Sequence, residues 1–186
     1  MYLARRGNED AFRRLYRELH DPVARYVAGR IASAEEAEDV TATVFGRFVQ
    51  RLDAYDSARG TVMTWVLTMA RNAVIDHHRV RRPTGPRAED LAEVLAGERP
   101  SQLDDLMRDE RLQRIRQCLA QQPAEIREMF ALRFDQDLGI REIARIMDLS
   151  HDAAKQRFAR ALRSIRVELQ AERVPKRGGR TCAMAD

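Results

Sequence analysis

Ile140-Arg141-Glu142-Ile143-Ala144, then Met147-Asp148-Leu149-Ser150, then Ala153-Ala154-Lys155-Gln156-Arg157-Phe158, continuing to Arg166, has the period of a helix-turn-helix. A short apolar helix, a turn of a few residues and a longer helix with Arg and Lys on its outer face make the unit that fits a DNA major groove. In the second helix Ala154, Phe158, Ala161, Leu162, Ile165 and Leu169 recur at spacings of three and four and form one apolar face. Asp152, Gln156, Arg160 and Arg163 fall opposite, with Lys155 and Arg157 on the flanks. Ser150 is placed to cap the helix, which then opens near His151, because its hydroxyl can accept from an unpaired backbone N–H. Arg and Gln in the first turns reach base edges with paired hydrogen bonds, and more distant cations meet phosphate. Gln156, Arg157 and Arg160 are thus expected on bases, Lys155 and Arg163 on phosphates, with Ser150 at the same surface.

Outward from this unit, the chain is 186 residues long, enough for one medium domain or two small ones, and its 44% hydrophobic content is that of a folded protein. The net charge of +4 hides a segregated pattern. Arg71 to Arg87 is basic, Glu89 to Glu110 mainly acidic, and Lys155 to Arg180 basic again. Two separated basic patches suit two contacts with one polyanion. Lys155 and Lys176 are the only lysines, and the remaining cations are arginines, whose planar fork matches phosphate and guanine.

Turn residues cluster at Pro83-Thr84-Gly85-Pro86 and from Gly97 to Pro100. The intervening segment reads as a linker with one helical turn around Leu91 to Leu95. Apolar spacing predicts helices at about Glu9 to Ile31, Ala34 to Leu52 and Val62 to Val80 before it. Helices at about Leu103 to Gln121, Ala124 to Phe134 and Ile140 to Met147 follow, then the recognition helix. Pro123 suits the first position of its helix, where a missing N–H costs nothing. With no strand-like alternation and no internal repeat, the expected fold is all-α. It comprises a first helical domain at 1–82, a linker at 83–104, a second at 105–172 and a disordered tail at 173–186, which has no apolar period.

Cys118 and Cys182 are too few for a disulfide framework and lack a Cys-x-x-Cys spacing, which suits a reducing cytoplasm. His20, His77, His78 and His151 do not form a ligand set, so neither metal nor cofactor is expected. Met1 to Phe12 lacks the apolar core of a signal peptide, and no run is long enough to span a bilayer, so no membrane association is expected. An enzyme has the least support, for no nucleophile with a neighbouring base and no glycine-rich phosphate loop is visible.

The first half carries more specific residues. Ala11-Phe12 with Leu15-Tyr16, Ala37-Glu38-Asp39-Val40 with Phe45, and Trp65-Val66-Leu67-Thr68-Met69-Ala70-Arg71-Asn72 with Asp76 and Arg79 resemble region two of the extracytoplasmic-function sigma factors, in the sigma-70 family of bacterial RNA polymerase sigma subunits. Pro123, Arg127, Glu142-Ile143-Ala144, Lys155, Arg157 and Arg160-Ala161 resemble their region four. The resemblance covers roughly residues 3 to 170, with the motifs in family order and spacing. It implies that region two binds core RNA polymerase and holds the promoter's minus-ten element as unpaired DNA, while region four reads the minus-thirty-five element as duplex.

On that resemblance Arg71, Asn72, Arg79 and Arg81 are expected along the single strand, with Arg82 continuing the patch. The Asp56 to Met63 loop and the Trp65 helix would supply walls for extruded bases. Trp65 itself reads as core, since large apolar residues in a helical pattern bury. The acidic Glu89 to Glu110 stretch reads as a solvated linker. A two-domain helix-turn-helix transcriptional regulator would explain Ile140 to Arg166 but not the Trp65 to Arg79 pattern; it should dimerise and bind duplex unaided.

One departure from the family pattern stands out. Members usually carry Asp-Leu-Val-Gln-Glu-Val-Phe where this chain reads Asp39-Val40-Thr41-Ala42-Thr43-Val44-Phe45. A helical projection buries Val40, Thr41, Val44, Phe45, Phe48 and Leu52, and turns Asp39, Thr43, Gly46 and Gln50 outward. Asp39, Thr43 and Gln50 are the expected docking residues for core polymerase, on a face that has lost a negative charge. Thr43 is accordingly a candidate for phosphorylation by a Ser/Thr kinase, with Arg47 one turn further on to orient the phosphate. An anti-sigma protein is the other candidate regulatory partner.

Overall fold

The computed structural model describes residues 1–81 and 110–171. The linker, its turn at Leu91 to Leu95, Arg82, the part of the fourth expected helix at 103–109 and the tail all lie outside the described residues. Among the described residues every regular element is a helix. The first half holds α1 (Tyr2–Arg5), α2 (Glu9–Ala28), α3 (Ala34–Gln50) and α4 (Val62–Arg81), with 3-10 turns at Leu52–Ala54 and Ser57–Arg59. The second holds α5 (Glu110–Ala120), α6 (Ala124–Phe134), α7 (Ile140–Ile146) and α8 (His151–Ala171).

Short polar side chains set the helix starts. Asn8 Oδ1 accepts from Ala11 N at 2.8 Å before α2, Ser33 Oγ from Glu36 N at 3.4 Å before α3, and Thr61 Oγ1 from Thr64 N at 3.2 Å before α4. Each satisfies a donor that the first helical turn leaves unpaired. Pro123 takes the N-cap position of α6 rather than its first helical residue, a shift of one place that still removes no hydrogen bond. Among the described residues the helix ends fall within a few residues of those the apolar period predicts, while the start expected at Leu103 lies outside them. The exception is the N-terminus, where the four residues of α1 are too few to show a period.

Helices α2, α3 and α4 pack pairwise around Val23, Val27, Val44, Phe48, Val66, Leu67, Ala70 and Val74, all fully buried. Met129, Leu132, Leu138, Ile143, Ala144 and Ile146 of the second half belong to the same apolar cluster, and α4 packs directly on α7. A separate, smaller cluster of Cys118, Phe130, Ala161 and Ile165 holds α8 to α5 and α6. Helix α6 therefore lies between two cores, with Met129 and Leu132 on one side and Phe130 on the other. A helix apolar on both sides is one that neighbours cover on both sides.

Candidate nucleic-acid interface

The turn between α7 and α8 closes by backbone geometry. Leu149 N donates to Ala144 O at 2.8 Å and Asp148 N to Arg145 O at 3.3 Å, while Asp148 adopts φ +56°, the left-handed stop of a Schellman ending. Ser150 Oγ accepts from Ala153 N at 3.2 Å, so its hydroxyl oxygen serves as the cap of α8. Ala154, Ala161 and Ile165 are buried, and Phe158 stacks on Phe130 with ring centres 4.8 Å apart.

Lys155, Gln156, Arg160 and Arg163 stand exposed together on the outer side of α8. Two residues depart from the projection. Leu162 is 43% exposed, because α5 and α6 cover the helix through Ala161 and Ile165 and stop short of it. Arg157 is half-buried and its Nη1 pairs with Glu125 on α6, so its guanidinium is already engaged.

Helix α4 splits the expected strand residues. At about 100° per residue Asn72 and Arg79 share one outward face, with Arg71 turned to one side of it and Arg81 to the opposite side of the helix. Asn72 and Arg79 are exposed. Arg81 reaches α3, its Nη2 lying 2.5 Å from Glu36 Oε1. Arg71 turns toward the second half, where its Nε donates to Glu128 Oε1 at 3.2 Å.

Glu128 was not anticipated, and it is 1% exposed. Its Oε1 also accepts from Tyr26 Oη at 2.9 Å. Burial, more than the neighbouring charges, pushes the Tyr26 phenol far above its usual value, so Tyr26 remains a donor. A carboxylate on the buried side of α6, four residues before Leu132, was the available signal: such a group needs a cation or donors opposite it.

A second carboxylate lies further along the same seam. Glu142 Oε1 accepts from Thr61 Oγ1 and Thr64 Oγ1, each at 2.9 Å, and Oε2 accepts from Gly139 N at 3.0 Å. Partial burial raises its pKa, but the Gly139 N–H, the two hydroxyls and the Arg145 charge together outweigh this and hold the carboxyl below its ordinary value. Arg145 Nη1 donates to Arg59 O. Gly60, at φ +139°, makes room for that reach, since a Cβ there would stand 2.5 Å from Arg145 Nη1.

Between these contacts lies a cavity of about 610 Å³, walled by Tyr55, Asp56, Thr61, Trp65 and Thr68 from the first half and by Arg145 from the second. Trp65 is half-buried, with its ring 5.7 Å from Phe48 and 5.4 Å from Tyr55. It is thus both packed against the core and part of the cavity wall, where the helical pattern alone places it in the core.

On α3 the expected division of faces is present. Thr41 is buried and its Oγ1 donates to Ala37 O at 2.7 Å. Asp39, Thr43, Gly46 and Gln50 are exposed. Arg47, one turn beyond Thr43, places Nη1 3.4 Å from Asp76 Oδ2 on α4. Among the described residues no group of three or more His, Cys, Asp or Glu is placed to hold a metal ion, and no helix is long and apolar enough to cross a membrane.

Residues 15–84 match the family model of Sigma-70 region 2, and residues 112–165 that of Sigma-70 region 4. The ECF RNA polymerase sigma factor BldN of Streptomyces coelicolor is 33% identical over 166 residues, which are 87% of this chain. The chain spans 61% of BldN's length. The ECF RNA polymerase sigma factor RpoE of Cereibacter sphaeroides is 33% identical over 163 residues, 86% of both chains. Among solved structures, RpoE of Bartonella quintana, crystallised with the anti-sigma factor NepR, superposes with a TM-score of 0.60 over 87% of this chain and 98% of that one. At 16% identity the likeness is one of fold.

Proposed function

This chain belongs to the extracytoplasmic-function sigma factors of the sigma-70 family, and from that premise we propose that it joins core RNA polymerase and directs promoter recognition, DNA opening and initiation. The observation that carries the reading is the ordered pair of region-two and region-four matches, with Lys155, Gln156, Arg160 and Arg163 exposed together on the recognition helix. In this reading the chain works in the cytoplasm, with core polymerase and promoter DNA as its partners.

Reconstitution with core polymerase followed by genome-wide mapping of start sites tests it. Defined starts with both upstream elements are expected. Failure to form a competent complex, phosphorylated or not, together with tight duplex binding by a free dimer, would instead support a two-domain regulator.

Within this reading Gln156 and Arg160 contact bases of the upstream element, Lys155 and Arg163 contact phosphates, and Asn72 and Arg79 track the unpaired strand. Arg160→Ala should relax preference at one upstream position by ~1–3 kcal/mol, whereas Lys155→Ala should weaken all sites alike and lower the salt slope by about one. Competition binding of the holoenzyme to a set of single-base promoter variants distinguishes the two. An Arg160→Ala profile unchanged at every position would remove that residue from the base contacts. Arg157→Ala should act mainly through α6, since its guanidinium pairs with Glu125.

The finer reading is that phosphorylation of Thr43 by a Ser/Thr kinase supplies the negative charge missing from the docking face and activates the factor. Its support is the exposed Thr43 one turn beyond exposed Asp39, beside a buried, hydrogen-bonded Thr41. An anti-sigma protein is the other regulator the family reading admits.

A further inference from the structure

Helix α1 is four residues long, far below the length at which a helix holds itself in water, so its position has to come from contacts. Gly7, at φ +80°, turns the chain back after it. Ala4 is buried, and Met1 packs against the larger core. This arrangement carries Arg5 to the end of α3, 47 to 50 positions away in sequence. Its Nε donates to Leu52 O at 2.8 Å, and its Nη2 donates to Asp53 O at 3.3 Å and to Tyr55 O. The guanidinium carbon also lies 5.7 Å from the centre of the Tyr55 ring. One side chain thus takes three carbonyls just beyond α3, at a helix terminus where positive charge is favoured.

Tyr55 carries that hold forward. Its Oη donates to Gly60 O at 2.8 Å, its ring centre lies 5.4 Å from that of Trp65, and Asp56 Oδ1 accepts from Ala58 N at 2.9 Å. The segment from Asp56 to Gly60 is therefore a closed tip whose two ends are tied through one side chain. Arg5 fixes the backbone from which that side chain springs. Tyr55, Asp56, Gly60 and Trp65 all line the cavity. Arg145 reaches the tip as well, at Arg59 O, but from the second half; Arg5 holds it from within the first.

We propose that Arg5 is a positioning residue for base selection, holding Tyr55 and the Asp56–Gly60 tip as a preformed wall for a base of the unpaired promoter strand. The proposal rests on the sigma-factor reading and adds to it a specificity determinant ahead of the region-two match, which begins at residue 15. Arg5 touches no base in this account and acts through Tyr55. Arg5 and Asp53 are exposed, so water can take up the freed carbonyls when the guanidinium is removed, and folding stability changes little. The wall, by contrast, loses its fixed backbone, and a recognition site left about 1 Å too loose selects poorly. The loss should fall on discrimination rather than on folding.

The test uses holoenzyme reconstituted with core polymerase, and promoter fragments whose minus-ten non-template strand is left unpaired and carries each single-base change in turn. Arg5→Ala should lower discrimination at one unpaired position by about fivefold, the low end of what a wrong base pair costs at a specific site. The minus-thirty-five profile and the salt slope should stay as in wild type. Arg5→Lys keeps the charge without the planar fork and should fall between the two. Arg6 turns to Tyr2, with Nη1 3.2 Å from Tyr2 Oη, so Arg6→Ala removes the same charge and should keep the wild-type profile. In the free chain, hydrogen exchange read by mass spectrometry should show the amides of residues 53–60 exchanging faster in Arg5→Ala, with the urea midpoint unchanged.

An Arg5→Ala profile unchanged at every unpaired position would overturn the proposal, as would unchanged exchange of residues 53–60. Uniform weakening at both elements with a lower salt slope would overturn it too, because Arg5 would then be a phosphate contact. The sigma-factor reading fails by a different result, the absence of initiation with core polymerase by wild type and variants alike; the exchange measurement, made without polymerase, tests the hold on the loop in either case.

Discussion

Thr43→Glu is expected to raise the affinity of the unmodified chain for core polymerase by about tenfold, and Thr43→Ala to leave promoter output at background in cells that hold the activating kinase. Tenfold corresponds to ~1.4 kcal/mol, modest beside the ~2–5 kcal/mol that a partly desolvated interface charge can command. Phosphate carries roughly −1.5 to −2 charges at neutral pH and Glu only one, so phosphorylation should exceed the Glu variant. Within α3 the new charge stands one turn from Asp39 and one from Arg47. Like and unlike neighbours at that spacing each contribute only ~0.2–0.5 kcal/mol and nearly cancel. The helix therefore tolerates the phosphate, and its effect falls on the docking partner. Arg47 would have to leave Asp76, which it touches at 3.4 Å across a half-exposed contact; exposed pairs of this kind are worth ~0–1 kcal/mol. Polymerase affinity and reporter output measured for Thr43→Ala, Thr43→Glu and the unmodified chain decide the matter. Full activity of both the Ala variant and the unmodified chain would end the proposal.

What the sequence disclosed and what it withheld divide along sequence separation. The inward Thr41 and outward Thr43, the Ser150 cap and the apolar side of α8 all follow from a helical period that acts within a few residues. Family resemblance then assigned both halves, because the motifs around Trp65 and Arg160 stand in order along one chain. The seam between the halves was not legible. Tyr26 and Glu128 are 102 positions apart, and Thr61 and Glu142 are 81 apart, so no local pattern pairs them. Arg71 consequently reads as an open strand contact, though in the free chain Glu128 already holds it. Leu162 shows the other limit of a projection: it gives the direction a side chain takes from its helix but not how far the neighbouring helices extend over it.

Phe48→Ala should cost ~3–5 kcal/mol, the range for deleting a buried aromatic ring from a packed core. Against the ~5–15 kcal/mol that holds a typical domain together, that is about a fifth of the stability or more. Phe48 has no exposed surface. Its ring meets Phe45 edge-on at 6.2 Å and Trp65 at 5.7 Å, linking the docking helix α3 to the cavity wall on α4. Rigid, close-packed rings line the space it would leave, so relaxation can recover only part of the loss. The neighbouring Val49 is 51% exposed, and Val49→Ala should stay within about 0.5 kcal/mol of wild type. Trp65 is the chain's one tryptophan, so its fluorescence in a urea titration reports on this core and on no other. A midpoint for Phe48→Ala within 1 kcal/mol of wild type, taken at a common slope (about 1 kcal/mol is the typical single-substitution effect), would mean that α3 and α4 are not held together through this ring. If the larger loss is observed, the face of α3 proposed for docking and the cavity wall on α4 rest on one core, and a defect in either should appear as a defect in both.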